Sequence, residues 1–354
     1  MCKVFYVGAL SLLFIVIVFF ALGVVNVQAP SGSVIIPSPS EWTDRGTAIS
    51  PGSGWDKRLS GMLSPVGMVK KNSIYYLYYI GADGNRSTDG GPRNRKLGVA
   101  TSQNGIDFTK YSGNPVLTYQ PHNNPEEGVF SGGVTLASDG TFVLYYGGMR
   151  APNSTSESVD GQIRLAESSN GFLFTDRGEI VSPNNSSVWG HGDEIFPSGV
   201  FTTNHQWHVY YTAKGSGIDW GLGLASGRSR TSLPNTQATG GGLHSTNGGS
   251  PIFLDRHKLA VFVLFRNDHR IEVRTTTVSS PQNLSSLART YHFGELEDHF
   301  TIALDKEADT WFMYYYNNNS IKVKTAPVRY ERGAWPFLHK TLKRYLPQGG
   351  GDIP

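Results

Sequence analysis

Five segments of the chain share one order of apolar and polar positions. In the first, residues 67–117, a strand, a turn, an aromatic strand, a polar loop and a third strand are followed by a Ser-x-Asn-Gly-x-x-Phe turn. The order returns at 132–181 and 198–226, and more weakly twice afterwards. The aromatic strands end at Tyr79, Tyr146, Tyr211, Phe265 and Tyr315, at steps of 67, 65, 54 and 50 residues. All-strand repetition at this period predicts an all-β, five-bladed β-propeller with four-stranded antiparallel blades.

The aromatic strands are bulky on both faces. A strand with one exposed face alternates apolar and polar residues, whereas residues 74–79 read Ile-Tyr-Tyr-Leu-Tyr-Tyr. A blade packs between two neighbouring blades, so its middle strands lose water on both sides. A β-sandwich of similar strands is the alternative, but the constant order within the five copies favours the propeller.

Composition and charge narrow the class of protein further. The chain has 42 Gly and 19 Pro among 354 residues and no long helical pattern, as expected of many short strands joined by turns. The net charge of +3 is slight and the basic residues are scattered, so no nucleic-acid partner is expected. No feature calls for a cofactor, and we expect a monomer.

The N-terminus has the pattern of a targeting segment, residues 1–29. Lys3 precedes a charge-free apolar run, Val4–Val25, and Val27–Ala29 fits a small-x-small cleavage site. The run of 22 residues is also long enough to span a bilayer, so a retained membrane anchor is the alternative to a cleaved signal peptide. Either way, the globular part is expected outside the cytoplasm.

The rest of the chain divides by composition. A Pro/Ser-rich linker is expected at 30–40, the propeller at 41–330 and a C-terminal tail at 331–354. A first short strand within 41–51 is expected to close the ring against the last blade. Residues 233–249 are rich in Gly, Thr and Ser without a strand pattern, and are predicted to form a mobile loop.

The only cysteine is Cys2, which lies before the apolar run. The globular part therefore has no disulfide, no thiol nucleophile and no thiolate metal site. Glycosylation sequons, which matter in a eukaryotic secretory pathway, begin at Asn85, Asn153, Asn184, Asn185, Asn283 and Asn318.

Two motifs carry a resemblance to known families. The first is LGVATSQNGIDFTKYSGNPVL at 97–117, echoed at 164–181, and the second is the aromatic strand with its glycine, YYLYYIG and FVLYYGG. Together they resemble the five-bladed propeller glycosidases, namely glycoside hydrolase families 43, 32 and 68 and the mannoside phosphorylases of family 130. The resemblance covers about residues 41–330. The Asn-Gly turn, which also resembles the Asp-box of sialidases, supplies the positive φ angles of a tight hairpin and indicates nothing about catalysis.

The resemblance implies carboxylates at the starts of the innermost strands, where side chains from all blades converge. Glycoside cleavage needs an acid for the leaving oxygen and a second carboxylate as nucleophile or base. The chain departs from the families at two places: Ser64 precedes Pro65 where family 43 has an aspartate, and Ser131 stands near the usual acid of blade two. The Trp-x-Asn-Asp-Pro-Asn motif of family 32 is absent.

We predict Glu194 as the general acid, with Asp56 or Asp298 as the opposing carboxylate. Asp193 and Glu127 are predicted to support Glu194 by raising its pKa. For Glu194 and Asp193 the alternative is a rim carboxylate that binds turn amides, and for Glu127 with Glu126 it is a solvated loop acid.

Five further residues are predicted to contact a sugar or its substituents. Trp55 and Trp189 have rings that stack on sugars, and blade packing is their alternative. Arg58 is a candidate for binding an anionic group, while His191 and His299 are candidates for binding hydroxyls. His122, His191 and His299 show no regular ligand spacing, so no metal is predicted.

Two functions remain open from the sequence. The first is an exported enzyme acting on glycosidic bonds of oligo- or polysaccharides by paired carboxylates, through hydrolysis or phosphorolysis. The second is a catalytically inactive propeller that binds carbohydrate or displays loops. The missing blade-one aspartate favours the second, and the tryptophan-rich, acidic segments favour the first.

Overall fold

The structure is a computed structural model that describes residues 32–331, except 60–64, 84–93, 156–159, 295–298 and the single positions 204, 216, 242, 245 and 266. The predicted targeting segment, the first two residues of the predicted linker (30 and 31) and the tail after Glu331 lie outside the described residues. Residues 34–329 form one compact unit. In the second unit the Glu331 amide donates to the Ser33 carbonyl at 2.9 Å.

The described residues are almost entirely β-strands, as predicted. The first strand is β1 (Thr43–Ile49), and blade one contains β2 (Arg58–Leu59), β3 (Gly67–Lys71), β4 (Ile74–Ala82), β5 (Lys96–Ser102) and β6 (Thr109–Lys110). Blade two contains β7 (Gly128–Leu136), β8 (Phe142–Arg150), β9 (Asp160–Ser168) and β10 (Thr175–Val181), and blade three contains β11 (Glu194–Thr203), β12 (Gln206–Gly215), β13 (Ile218–Gly227) and β14 (Asn235–Ala238). Blade four contains β15 (Thr246–Phe253), β16 (Lys258–Phe265), β17 (Arg270–Thr277) and β18 (Ser286–His292), and blade five contains β19 (Phe300–Asp305), β20 (Thr310–Asn317) and β21 (Ser320–Pro327).

Each blade is an antiparallel sheet in chain order from its innermost strand, β3, β7, β11, β15 or β19. Among the described residues the one helix is the short 3-10 turn Pro39–Glu41, and no helix there is long and apolar enough to cross a membrane.

Strand β1 closes the ring, as the sequence predicted. It pairs antiparallel with β21, from Thr43 opposite Thr325 to Ile49 opposite Ile321, and so becomes the outermost strand of blade five. The fourth strand of the last blade therefore comes from the start of the globular part. Backbone pairing of these two strands links the last blade to the segment that leads into the first blade.

Residues 233–249, which were predicted to form a mobile loop, contain strand residues instead at two places. Asn235–Ala238 forms β14, the outermost strand of blade three, and Thr246–Phe253 forms β15, the innermost strand of blade four. The outermost strand is exposed at most of its residues, so β13 holds it through backbone pairing and no apolar side chains are needed. This is why its sequence carried no strand pattern.

Tyrosines of the aromatic strands form hydrogen bonds between neighbouring blades. In four blades a buried tyrosine donates its hydroxyl to a backbone carbonyl of the neighbouring blade: Tyr78 to Gly171 (2.9 Å), Tyr145 to Arg230 (2.6 Å), Tyr210 to Pro281 (2.6 Å) and Tyr314 to Gly105 (2.7 Å). The alternate residues of the same strands pack in apolar clusters between blades. Both faces of these strands are thus buried, as their sequence indicated.

The Asn-Gly turns are built differently from the simplest expectation. Gly105 (φ 72°) and Gly171 (φ 82°) adopt the left-handed conformation, whereas the preceding asparagines do not. The Asn104 side chain instead accepts hydrogen bonds from the amides of Ile106 and Asp107, both at 2.9 Å. The asparagine therefore caps the turn with its side chain, and the glycine alone supplies the backbone freedom.

The five innermost strands surround one central channel. A cavity of about 780 Å³ is lined by the later residues of all five strands. Towards the strand starts the channel narrows to a space of about 10 Å³ between residues such as Gly132, Ser198 and Gly248. Glycines allow this close approach, because a Cβ on Gly199 would lie 2.3 Å from the Gly249 carbonyl oxygen.

Candidate functional site

The candidate site is the channel mouth, the end of the channel at which the innermost strands start. Gly128 and Glu194 occupy equivalent places there, as the alignment of the repeats predicted. Each makes a parallel bridge to the preceding blade, Gly128 with Arg95 and Glu194 with Gly161. The corresponding positions of blade one, 60–64, lie outside the described residues.

Glu194 is half-buried at the first position of β11. Its cross-strand neighbour is Lys214 at the end of β12, whose Nζ lies 5.8 Å from the centroid of the Trp220 ring. A carboxyl group at such a place can transfer a proton only to a group that comes within hydrogen-bonding reach of it. The structure thus places Glu194 at the mouth, and its role as the acid stays a prediction.

A row of aromatic rings accompanies Glu194. Phe196 stacks between Phe130, at 4.2 Å between centroids, and Trp220, at 6.3 Å. The guanidinium of Arg95 lies 5.2 Å from the centroid of Phe130. A Cβ on Gly161 would lie 2.4 Å from the Phe196 ring, so glycine makes room for this row.

This aromatic row was not predicted from the sequence. The alignment of Phe130 with Phe196 in the repeats was a usable signal for two of its members. Trp220 gave no signal, because its place beside Phe196 follows from a left-handed backbone (φ 53°) just after the turn between β12 and β13. Phe196 is only 4% exposed, so Phe130 and Trp220, which are half-buried, are the rings of this row that are open to solvent.

Asp193 and His191 lie in the turn before β11. Asp193 is exposed, and its amide donates to the Lys214 carbonyl at 3.2 Å. His191 is half-buried, and its Nδ1 lies 3.1 Å from the Val188 carbonyl of the same turn. The pair therefore belongs to the rim of blade three, next to Glu194.

Trp55 and Trp189 have the packing role that was their alternative. Trp55 stacks on Tyr79 at 5.9 Å and 23°, and Trp189 meets Tyr211 edge-on at 6.1 Å. Each indole also covers a glycine of the third strand in its own blade, since a Cβ on Gly98 or Gly223 would clash with it. Both tryptophans therefore pack against the second and third strands of their own blades.

Asp56 is placed differently from the prediction of an opposing carboxylate. It is only 5% exposed, and its Oδ2 lies 2.5 Å from Lys110 Nζ on the outermost strand of blade one. The Tyr79 hydroxyl donates to the same oxygen at 3.3 Å. A buried carboxylate needs such partners to offset its loss of water, and here they hold it over blade one.

The remaining predicted residues of blades one and five are only partly described. Arg58 is half-buried on the short strand β2, opposite Ala82. Asp298 lies outside the described residues. His299 is half-buried and borders the narrow part of the channel with Phe300 and Gly248, which is the mouth position predicted for it.

The interpretation of Glu126 and Glu127 as solvated acids was wrong. Glu127 is 0% exposed and Glu126 is 7% exposed. The Glu127 carboxylate accepts hydrogen bonds from the His122 amide (2.9 Å), the His122 ring (2.8 Å), the Asn124 amide (3.3 Å) and the Ala151 amide (3.1 Å). Because these donors surround it, Glu127 fixes the loop before β7 to blade two, and the sequence showed none of them.

Within the described residues, no group of three or more His, Cys, Asp and Glu side chains is arranged to hold a metal ion.

Comparisons with known proteins agree on the architecture. No protein-family model matches the sequence, and no curated protein matches it. Among solved structures, the chain is similar to Zg3597, a family 117 glycoside hydrolase of the marine bacterium Zobellia galactanivorans, with a TM-score of 0.58 and 15% identity over 86% of this chain and 98% of that one.

Two other solved structures extend the similarity. One comes from work on the family 130 mannoside phosphorylases and the glycoside hydrolases among them, with a TM-score of 0.57 and 12% identity over 85% of this chain and 97% of that one. Another is a thermostable family 43 glycoside hydrolase, with a TM-score of 0.52 and 13% identity over 80% of this chain and 94% of that one. Together with the antiparallel blades around one channel, these matches show that the chain has the fold of the five-bladed propeller glycosidases.

Proposed function

We propose that the protein is a glycoside hydrolase-like enzyme that acts on the glycosidic bonds of oligo- or polysaccharides at the channel mouth. The observation that carries the proposal is Glu194, a half-buried carboxyl group at the start of an innermost strand and beside the aromatic row. The shared fold supports it, because carbohydrate chemistry recurs among the structural neighbours.

In this proposal Glu194 is the general acid and donates its proton to the oxygen of the departing sugar. Asp298 is the opposing carboxylate, since Lys110 holds the other candidate, Asp56, over blade one. His299 contacts a substrate hydroxyl from the blade-five side of the mouth, and Trp220, which stacks on the buried Phe196, forms the apolar wall. Hydrolysis uses water as the acceptor of the glycosyl group.

A catalytically inactive carbohydrate-binding propeller is the second candidate. The ion pair between Asp56 and Lys110 favours it, because one of the two predicted opposing carboxylates is occupied. The two candidates differ in whether Glu194 transfers a proton.

The substitution Glu194→Gln tests the proposal, because it keeps the shape of the side chain and removes the transferable proton. Turnover of a substrate with a poor leaving group is expected to fall about 10²–10⁴-fold, the scale of general acid catalysis, with binding retained. An aryl glycoside with a good leaving group needs little protonation and should lose much less. Released sugar is measured for both substrates, with Asp193→Asn as the control on the exposed rim.

Equal wild-type rates for Glu194→Gln on both substrates would exclude Glu194 as the acid. Absence of released sugar from the wild-type protein across a panel of polysaccharides and aryl glycosides, with measurable binding, would favour the inactive propeller.

We also propose that the protein is exported. The support is the charge-free run Val4–Val25 with a small-x-small site at Val27–Ala29. N-terminal sequencing of the protein from its native host should find a chain that begins near residue 30. A full-length chain in the cytosol with Met1 present would contradict export.

A further inference from the structure

A second polar pocket lies over blade two, on the same face as the channel mouth. Its volume is about 900 Å³, and we call it the blade-two pocket, lined among others by Tyr119, His122, Arg150, Asp160, Arg164 and Asp176. Arg150 ends β8 and Asp160 begins β9, so both lie on the face where the innermost strands start. Of the predicted catalytic residues that the structure describes, neither Glu194 nor Asp56 lines this pocket.

The buried carboxylate of Glu127 orients one side of the pocket. Its Oε1 receives both the His122 ring Nδ1, at 2.8 Å, and the Ala151 amide, at 3.1 Å. One carboxylate oxygen therefore fixes both the His122 ring and the backbone just after Arg150. With Nδ1 directed at Glu127, the other ring nitrogen of His122 is left for the pocket, where it can bond to a hydroxyl group.

One arginine of the pocket is already engaged. Arg164 contacts Asp176 Oδ2 at 2.6 Å and the Tyr146 hydroxyl at 3.1 Å, and its guanidinium lies 4.5 Å from the centroid of Tyr119. Tyr119 in turn receives the Gln162 amide at 2.6 Å. These contacts hold the Arg164 side chain in place, and the charge of Asp176 compensates that of Arg164.

Arg150 is the more exposed of the two arginines that line the pocket within the described residues, at 37% against 14% for Arg164. Its ion-pair partner there is Asp160, whose Oδ2 lies 4.0 Å away, beyond hydrogen-bonding distance, and which is 42% exposed. A guanidinium presents planar pairs of N–H donors that match a carboxylate. A donor of this kind beside a hydroxyl-binding imidazole matches the carboxylate and the adjacent hydroxyl of a uronic acid.

We propose that the blade-two pocket binds an acidic sugar of the glycan substrate, with Arg150 contacting the uronate carboxylate and His122 a neighbouring hydroxyl. The inference names the substrate class and rests on the proposed carbohydrate function. It concerns binding, so it is tested without turnover. A result for Glu194→Gln therefore leaves it unchanged, and the two proposals can fail separately.

The test is ligand-observed NMR titration with methyl β-glucuronide, methyl β-glucoside and inorganic phosphate. The wild-type protein is expected to bind the glucuronide at least about tenfold more tightly than the glucoside, the scale of a charge-assisted hydrogen bond. Arg150→Gln should remove that preference and leave the weak affinity for the glucoside. His122→Gln should weaken both sugars by a similar factor, because a hydroxyl contact is common to both.

Arg177→Gln is the matched control, since Arg177 is an exposed arginine of blade two that pairs with Glu167 outside the pocket and its loss changes the net charge equally. Equal binding of the two sugars by the wild-type protein, or a preference that survives Arg150→Gln, overturns the inference. Displacement of the glucuronide by phosphate at equal affinity also overturns it, because the pocket would then recognise a free oxyanion rather than an acidic sugar.

Discussion

At the scale of single residues, the partners of each carboxylate decide what it can do. Asp56 and Glu127 both precede innermost strands in the sequence, yet each is enclosed by donors that hold it in place. Glu194 is half-buried at the mouth. Because their oxygens bind these donors, Asp56 and Glu127 hold their loops in place, and Glu194 is the carboxyl group that we propose as the acid.

The ion pair of Asp56 and Lys110 makes a prediction about stability. Lys110→Met leaves the buried Asp56 charge without its cation and should lower the free energy of unfolding by about 2–4 kcal/mol, slightly less than for a fully buried pair because Lys110 is 30% exposed. Adding Asp56→Asn should restore a large part of the loss, since no charge then remains buried. Urea denaturation measures both, and an unchanged midpoint for Lys110→Met would show that the pair contributes nothing.

His208 predicts a specific dependence of stability on pH. Burial lowers the pKa of His208 from 6.5 to about 4, and its Nε2 lies 2.7 Å from the Thr203 hydroxyl. The unfolded chain binds a proton near pH 6.5 and the folded chain only near 4, so the stability contributed by neutral His208 is fully present above pH 6.5. It is lost as pH falls from 6.5 to about 4, by up to about 3 kcal/mol.

Thermal unfolding of His208→Gln across that pH range should show a shallower decline on the acid side than the wild-type protein. His205→Gln is the control, because His205 is exposed on the same hairpin. Parallel curves for wild type and His208→Gln would mean that another group causes the acid loss.

At the scale of elements, the middle strands connect neighbouring blades. The same strand buries one set of side chains in each adjoining interface and sends a tyrosine hydroxyl to the turn of the next blade. The turn glycine sits against that interface, since a Cβ on Gly105 would lie 2.7 Å from Phe312 of blade five. The Ser-x-Asn-Gly-x-x-Phe turn is therefore part of the contact between blades as well as a hairpin turn.

Tyr78→Phe tests this contact. It removes the hydroxyl that donates to the Gly171 carbonyl and leaves that buried acceptor unpaired, so the free energy of unfolding should fall by about 1–2 kcal/mol. Tyr76→Phe is the control on the same strand, because within the described residues its hydroxyl makes no hydrogen bond, and the expected change is near zero. Equal denaturation midpoints for the two variants would show that the inter-blade bond adds no stability.

At the scale of the whole molecule, the ring is held closed by strands from the two ends of the propeller. Pairing of β1 with β21 completes blade five and hides the edge that β21 would otherwise expose. An open ring would expose the apolar cluster between blades one and five, which includes Ile49, Leu77 and Tyr314. Closure therefore stabilises every blade indirectly.

Removal of β1 should affect the whole molecule. A chain that begins at Pro51 is expected to unfold at a much lower temperature than one that begins at Gly32, and to aggregate through the exposed edge of β21. Differential scanning calorimetry with light scattering compares the two chains. A single transition at an unchanged temperature for the shorter chain would show that ring closure by β1 is dispensable.

The sequence by itself determined the five blades, their order and the strand that closes the ring. These features repeat, and each repeat shows the same pattern of apolar and turn residues because each blade has the same two buried faces. The polar strand β14 was not predicted, because an outermost strand is held by backbone hydrogen bonds and needs no apolar pattern.

Only the tertiary structure decided which chemical groups meet. Asp56 pairs with Lys110, 54 positions later in the chain, and Glu127 accepts a hydrogen bond from the Ala151 amide, 24 positions later. Nothing in the local pattern announces such partners, because a charged residue near a turn has the same sequence signal whether it is solvated, paired or catalytic. Burial and the position of the neighbouring donors distinguish these cases, and both arise only when the blades assemble.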